Sequence, residues 1–201
     1  MALGERFLAA SPAATRVRVS ITAARWERVS VGGRPHDHSF VSGGAERRLV
    51  AVWCERGSAT IEAGIADLEV MKTSGSRFAG FLRDEYTTLA DTDDRILATS
   101  VTARWRYAHV PESLGTIWHG VRQSLLETFA EHDSRSVQHT LHAMGSAVLT
   151  QFSDVEEIRI SLPNRHHLLV NLAPFGLANE NEIFVATREP YGLIEGVMRR
   201  E

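Results

Sequence analysis

"SLGTIWHGVRQSLLETFAEHDSRSVQHTLHAMGSAVLTQF", residues 113–152, decides the fold class. In its first half Ile117, Trp118, Val121, Leu125 and Phe129 keep to one face at near-3.6 spacing; in its second half Val137, Leu141, Met144, Val148 and Phe152 do the same. Two amphipathic helices in succession each need an apolar surface to cover. The flanking sequence supplies it as strands. Upstream lie "RRLVAVWCER" (47–56), "ATIEAGI" (59–65), "ADLEVMKTS" (66–74) and "RILATSVTARWRY" (95–107), with Gly57 and Ser58 as a turn between the first two. Downstream lie "EEIRISL" (156–162), "HHLLVNLA" (166–173), "EIFVAT" (182–187) and "LIEGVMR" (193–199). The order of strands, two consecutive helices, then strands predicts an α+β fold, an antiparallel sheet with both helices on one face, and not a βαβ unit.

The chain before residue 44 is organised differently. "ERFLAA" (5–10) reads as a short helix ended at "SPAA", where Pro12 disfavours continuation. "RVRVSIT" (16–22) and "WERVSV" (26–31) alternate apolar and polar residues and predict a hairpin. "GGRPHDHSF" (32–40) and "SGGAE" (42–46) are turn-rich and read as a connection. The expected division is therefore residues 1–43, the C-terminal part of a first domain, and residues 44–201, a complete second domain.

Composition narrows the class of function. The chain has 201 residues, 43% of them apolar and 23% charged, enough for a substantial core. A formal net charge of −3 and no basic patch argue against a nucleic-acid partner. Neither a secretory apolar segment nor a run long enough to span a bilayer stands out, so no membrane association and a cytoplasmic location are expected. A single cysteine, Cys54, forms no internal disulfide or thiolate cluster and reads as a core residue.

The histidines are the first candidates for chemistry. His36 and His38 alternate as strand residues do, but no third metal ligand is evident, and a structural role in a turn is the simpler reading. His166 and His167 are neighbours, so on a strand they point to opposite sides and only one faces a given pocket. His139 and His142 share a helix face and read as solvated. The carboxylate-rich "FLRDEYTTLADTDDR" (81–95) reads as a charged surface loop. Taken alone, these features leave the function open.

Longer motifs are more specific. "MKTSGSRFAGFLRDEYTTLADTDDRILATSVTARWRY" (71–107), "SVQHTLHAMG" (136–145), "SLPNRHHLLVNL" (161–172) and "EPYGLIEG" (189–196) occur in an order and spacing that resemble the urate oxidase (uricase) family. "GRPHDHSF" (33–40) is similar to that family's inter-domain segment. The resemblance runs over roughly residues 15–200. It implies a tunnelling fold, in which each domain has two strands, two helices and two strands, and a reaction that needs no cofactor and no metal.

The resemblance also implies roles for single residues. Phe78 corresponds to the ring that stacks on the purine, and Arg95 to the guanidinium that grips the pyrimidine edge with a planar fork. Gln138 corresponds to the amide that reads the opposite edge, donating and accepting at once, with the Val137 backbone N–H as a further donor. Pterin-binding relatives use a Glu there, which only accepts, so Gln138 favours urate. Asn164 corresponds to the residue beside the place where dioxygen, water or peroxide sits, and His166 to a member of the adjoining proton relay. His167 is expected to face away.

One departure shapes the expectation. The family's relay also uses a Lys and a Thr from the first domain of a neighbouring subunit, whereas the only lysine here, Lys72, lies in a second-domain motif. The chain is expected to carry the urate-gripping half of a composite site. Its partners are then urate, dioxygen and further copies of itself, in a homo-oligomer that is a tetramer in the family. The alternative is a non-catalytic or split-enzyme subunit that binds urate and needs an N-terminal partner for turnover.

Overall fold

The computed structural model describes residues 1–88, 90–187 and 189–200. Six strands form one antiparallel sheet in the order β1 (Arg16–Val31), β2 (Arg34–Glu55), β3 (Ser58–Lys72), β4 (Leu97–Tyr107), β5 (Val155–Pro163) and β8 (Leu193–Arg199). A short ribbon, β6 (His167–Leu169) with β7 (Phe184–Ala186), stands apart from it. Helix α1 (Ala2–Ala10) opens the chain, and α2 (Leu114–Glu131) and α3 (Val137–Gln151) follow β4. The two long helices start where their sequences provide caps: Ser113 accepts from the Thr116 N–H and Ser136 from the His139 N–H.

The helices cover one face of the sheet, as the alternation requires. Ile61, Ala63 and Ile65 of β3, Val101, Ala103 and Trp105 of β4, and Ile158 and Ile160 of β5 share one core with Trp118, Val121 and Leu125 of α2 and Leu141, Met144 and Val148 of α3. The Trp118 indole donates to the Gly64 carbonyl at 2.9 Å and ties α2 to β3, whereas the buried Trp105 Nε1 has no partner among the described residues. Residues of opposite parity carry charge. Glu62 pairs with Arg104 at 3.2 Å, and Glu157 lies between Arg106 at 3.4 Å and Arg199 at 2.6 Å. Neighbouring Arg guanidinium groups, Arg199 first, hold the Glu157 carboxyl below the usual range.

The N-terminal region departs from the expected hairpin. Residues 16–31 are one strand, and the chain reverses instead at Gly32 and Gly33, both at positive φ (57° and 77°), with Val31 opposite Arg34. A two-residue turn with both central φ values positive matches the twist of the strands it joins, and glycine takes that conformation at no steric cost. The supposed connection "GGRPHDHSF" and "SGGAE" is therefore turn and strand, forming the first half of β2. The β1–β2 register slips between Ala24, opposite Arg47, and Trp26, opposite Ser42, leaving residues 43–46 outside the ladder. Residues 59–65 and 66–74 likewise merge into β3, which bulges at Asp67 (φ 56°). Cys54 is buried under α1 against Gly4, where a Cβ would collide with its sulfur.

Candidate functional site

The segments that carry the candidate residues are tied to one another by backbone bonds. Phe78 and Thr92 exchange N–H to carbonyl bonds at 2.8 and 2.9 Å, so the two limbs of the β3–β4 loop pair locally. Arg95 N–H donates to the Ser76 carbonyl at 2.8 Å, and Arg77 N–H to the Ser134 carbonyl at 2.7 Å, joining that loop to the segment before α3. Val137 and Gln138 are the first two residues of α3, where helix N–H groups lack intrahelical partners. After β5, Asn164 N–H donates to Gly192 at 2.8 Å and Arg165 N–H to Ala98 at 3.0 Å, while the His166 carbonyl accepts from Thr187 N–H at 2.9 Å. These bonds hold Asn164 and His166 between the end of the sheet and the β6–β7 ribbon.

Phe78, Arg95, Val137, Gln138, Asn164 and His166 all line one cavity of about 510 Å³, with Ile194 and Phe184 among its apolar walls. That volume is in the range of small-molecule sites. The Arg95 guanidinium carbon lies 5.1 Å from the Phe78 ring centroid, and the Phe81 ring stacks on Phe78 at 4.4 Å and 17°. Burial pushes the Arg95 pKa down. An arginine nonetheless stays charged at neutral pH. Among the described residues its buried Nε has no hydrogen-bond partner and no carboxylate lies within ion-pair distance. A half-buried cation beside an aromatic ring, with an N–H left unpartnered, suits a flat anion, because that ligand supplies the missing acceptor.

A larger cavity, about 760 Å³, opens on the other side of His167 and is lined by Glu69, Met71, Thr187 and Tyr191 among others. Its cation is already neutralised, since Arg165 pairs with Glu69 at 2.7 Å. His167 lines both cavities. It does not simply face away, because the chain at 164–166 is irregular, β6 is three residues long, and strict alternation fails there.

The other histidines lie elsewhere. His36 and His38 sit on β2, not in a turn, with ring centroids 4.8 Å apart. His139 is not merely solvated: its Nδ1 lies 3.1 Å from Nε2 of His132, which caps the end of α2. Among the described residues no three His, Cys, Asp or Glu gather in a metal-binding arrangement. No helix of the described residues is long and apolar enough to cross a membrane.

Asp94, which the sequence placed in a charged surface loop, accepts from the Ser74 hydroxyl at 2.9 Å and from the Ser76 N–H at 3.4 Å, bracing Arg95. Its position beside Arg95 in "TDDRI" was the only signal. Buried Ser76, Ser134 and Thr140 gave none.

A family model described as Uricase matches residues 1–52 and 61–195. A uricase from Arthrobacter globiformis is 46% identical over 176 residues, covering 88% of this chain and 57% of that relative; one from Aspergillus flavus is 37% identical over 213 residues, covering 98% and 70%. The crystal structure of uricase from Arthrobacter globiformis superposes with a TM-score of 0.93 at 43% identity, covering 100% of this chain and 68% of that one. The chain thus spans 57% to 70% of the length of these relatives.

Proposed function

The chain belongs to the uricase family, and on that premise we propose that it binds urate and takes part in its oxidation. Urate, dioxygen and water yield 5-hydroxyisourate and hydrogen peroxide; two electrons pass from the purine to dioxygen, and water supplies the added hydroxyl. No cofactor is needed, because the substrate is itself the reductant. The observation that carries this reading is the convergence of six motif residues on one cavity in which the buried Arg95 Nε has no hydrogen-bond partner among the described residues.

In this reading the Phe78 ring takes the purine face, and the Arg95 fork binds the pyrimidine edge as a pair of charge-assisted bonds. Gln138 and the Val137 N–H read the opposite edge, using the N–H groups that the start of α3 leaves free. Asn164 borders the place of dioxygen or water above the ring, and His166 moves protons to and from it. The protein contributes position, charge and proton transfer.

A second reading has its own observation. Lys72 does not line the cavity and donates instead to the His132 carbonyl at 2.5 Å. A relay that uses a lysine would draw it from another polypeptide, and this chain would then bind urate without turning it over alone. The two domains of the family fold would meet where residues 43–46 leave the β1–β2 ladder. Loss of urate ultraviolet absorbance with peroxide release from the purified chain supports the first reading. Binding of a non-oxidisable xanthine analogue without turnover supports the second, and neither binding nor turnover refutes both.

A further inference from the structure

Ser134 uses every hydrogen-bonding group it has. Its carbonyl accepts from Arg77 N–H at 2.7 Å and its N–H donates to the Gly75 carbonyl at 3.2 Å. Its hydroxyl accepts from the Thr140 hydroxyl at 2.7 Å and donates to the Ser136 carbonyl at 3.1 Å. Ser134 and Thr140 are each 1% exposed. A threonine inside a helix ordinarily bonds back to the carbonyl four residues before it. Here that contact, to Ser136, is 3.3 Å, and the shorter bond leaves the helix for Ser134.

The bond therefore joins two parts of the cavity. On one side is the 74–78 limb, which carries Phe78 and through the Ser76 carbonyl holds Arg95; on the other is the first turn of α3, with Val137 and Gln138. We propose that the buried Thr140–Ser134 hydroxyl pair sets the distance between the Phe78–Arg95 loop and the edge-reading start of α3, making both positioning residues for the purine. A hydroxyl chain enclosed by protein is stiff, because each member has no water to fall back on. Neither residue lines the cavity. Their effect passes through Gln138 and Val137, which must meet a rigid bicyclic ring from the side opposite Arg95. This inference rests on the proposed urate site.

The test is calorimetry with a non-oxidisable xanthine analogue on the full chain. Thr140→Val keeps the shape and removes the donor, and its affinity is expected to fall roughly tenfold, while Thr140→Ser stays within about threefold of the parent. In a Gln138→Ala background, Thr140→Val is expected to cost less than about threefold, because the misplaced reader is already gone. Its melting-temperature loss should be the same in both backgrounds. Ser134→Ala, which deletes the acceptor, must give the same pattern. Unchanged affinity in Thr140→Val and Ser134→Ala, or an equal loss in both backgrounds, overturns the positioning role. Failure of the parent chain to bind the analogue refutes the urate reading itself and the inference with it.

Discussion

The Arg95 guanidinium lies over the Phe78 ring, its central carbon 5.1 Å from the ring centroid. The cation and the aromatic face proposed to hold a purine thus hold each other. A cation–π contact of this kind contributes about 0.5–2 kcal/mol, so a purine entering between them must replace it with stacking on Phe78 and paired bonds to Arg95. Among the described residues no carboxylate pairs with Arg95, and its buried Nε has no hydrogen-bond partner, which favours that exchange.

Replacing Arg95 by Lys keeps the charge and loses the planar fork. Affinity for a non-oxidisable xanthine analogue is expected to fall by about 1.5–3 kcal/mol, the range of a hydrogen bond to a charged group. Calorimetry measures this directly; parental affinity would remove Arg95 from the site.

Phe78→Leu keeps an apolar side chain and removes the π-face. The same ligand should bind about 0.5–1.5 kcal/mol more weakly, the contribution of aromatic pairing beyond buried area. Thermal melting should change little, since Phe78 is only half-buried. A large melting shift with intact binding would assign Phe78 to packing.

Gly64 tests the core independently of the ligand. A Cβ there would lie 2.7 Å from the Ala103 carbonyl oxygen, a backbone atom of the neighbouring strand that cannot turn aside. Gly64 also accepts the Trp118 indole bond. Gly64→Ala is expected to destabilise the fold by about 1–3 kcal/mol. A chemical-denaturation midpoint equal to that of the parent would show that β3 and β4 separate freely.

His132 gives a pH dependence with a definite sign. Burial first, then the facing His139 and Lys72, push its pKa below the ordinary imidazole value, while Asp133 pulls it up. The unfolded chain therefore takes this proton at higher pH than the folded one. Above about pH 6.5 the group contributes no pH dependence. As the pH falls below that value toward the depressed folded pKa, stability declines. His139→Gln removes the second of these causes, so melting temperatures measured from about pH 7.5 down to about pH 5.5 should fall less steeply than in the parent. Parallel curves would contradict the coupling.

Self-association is expected from the sheet edges. β1 runs 16 residues, and β1 and β8 each have one partner strand among the described residues. Exposed Trp26, Val31, Phe40 and Val41 crowd the outer part of the β1–β2 hairpin. Long unpaired edges invite pairing with another chain. Light scattering should show an oligomer or aggregate; a stable monomer would contradict this.

Read locally, the amino-acid sequence determined the two helices, the antiparallel class and the fold family. Helical periodicity is set by neighbouring residues, and Trp118, Val121, Leu125, Met144 and Val148 show it without reference to the rest of the chain. The motifs likewise named Phe78, Arg95, Val137, Gln138, Asn164 and His166, though not the cavity they share. The tertiary structure alone decided where the first hairpin turns. The alternation breaks at Ala23–Ala24, where two apolar residues adjoin, and read locally that break marks a turn; in the sheet β1 runs through it with a register slip, and the chain reverses at Gly32–Gly33. It alone decided that His167 borders both cavities and that Ser134 and Thr140 join the loop to the helix. A serine or threonine has the same local signature whether it faces water or is enclosed; only the packing of distant segments around it removes the water and makes its one remaining partner matter.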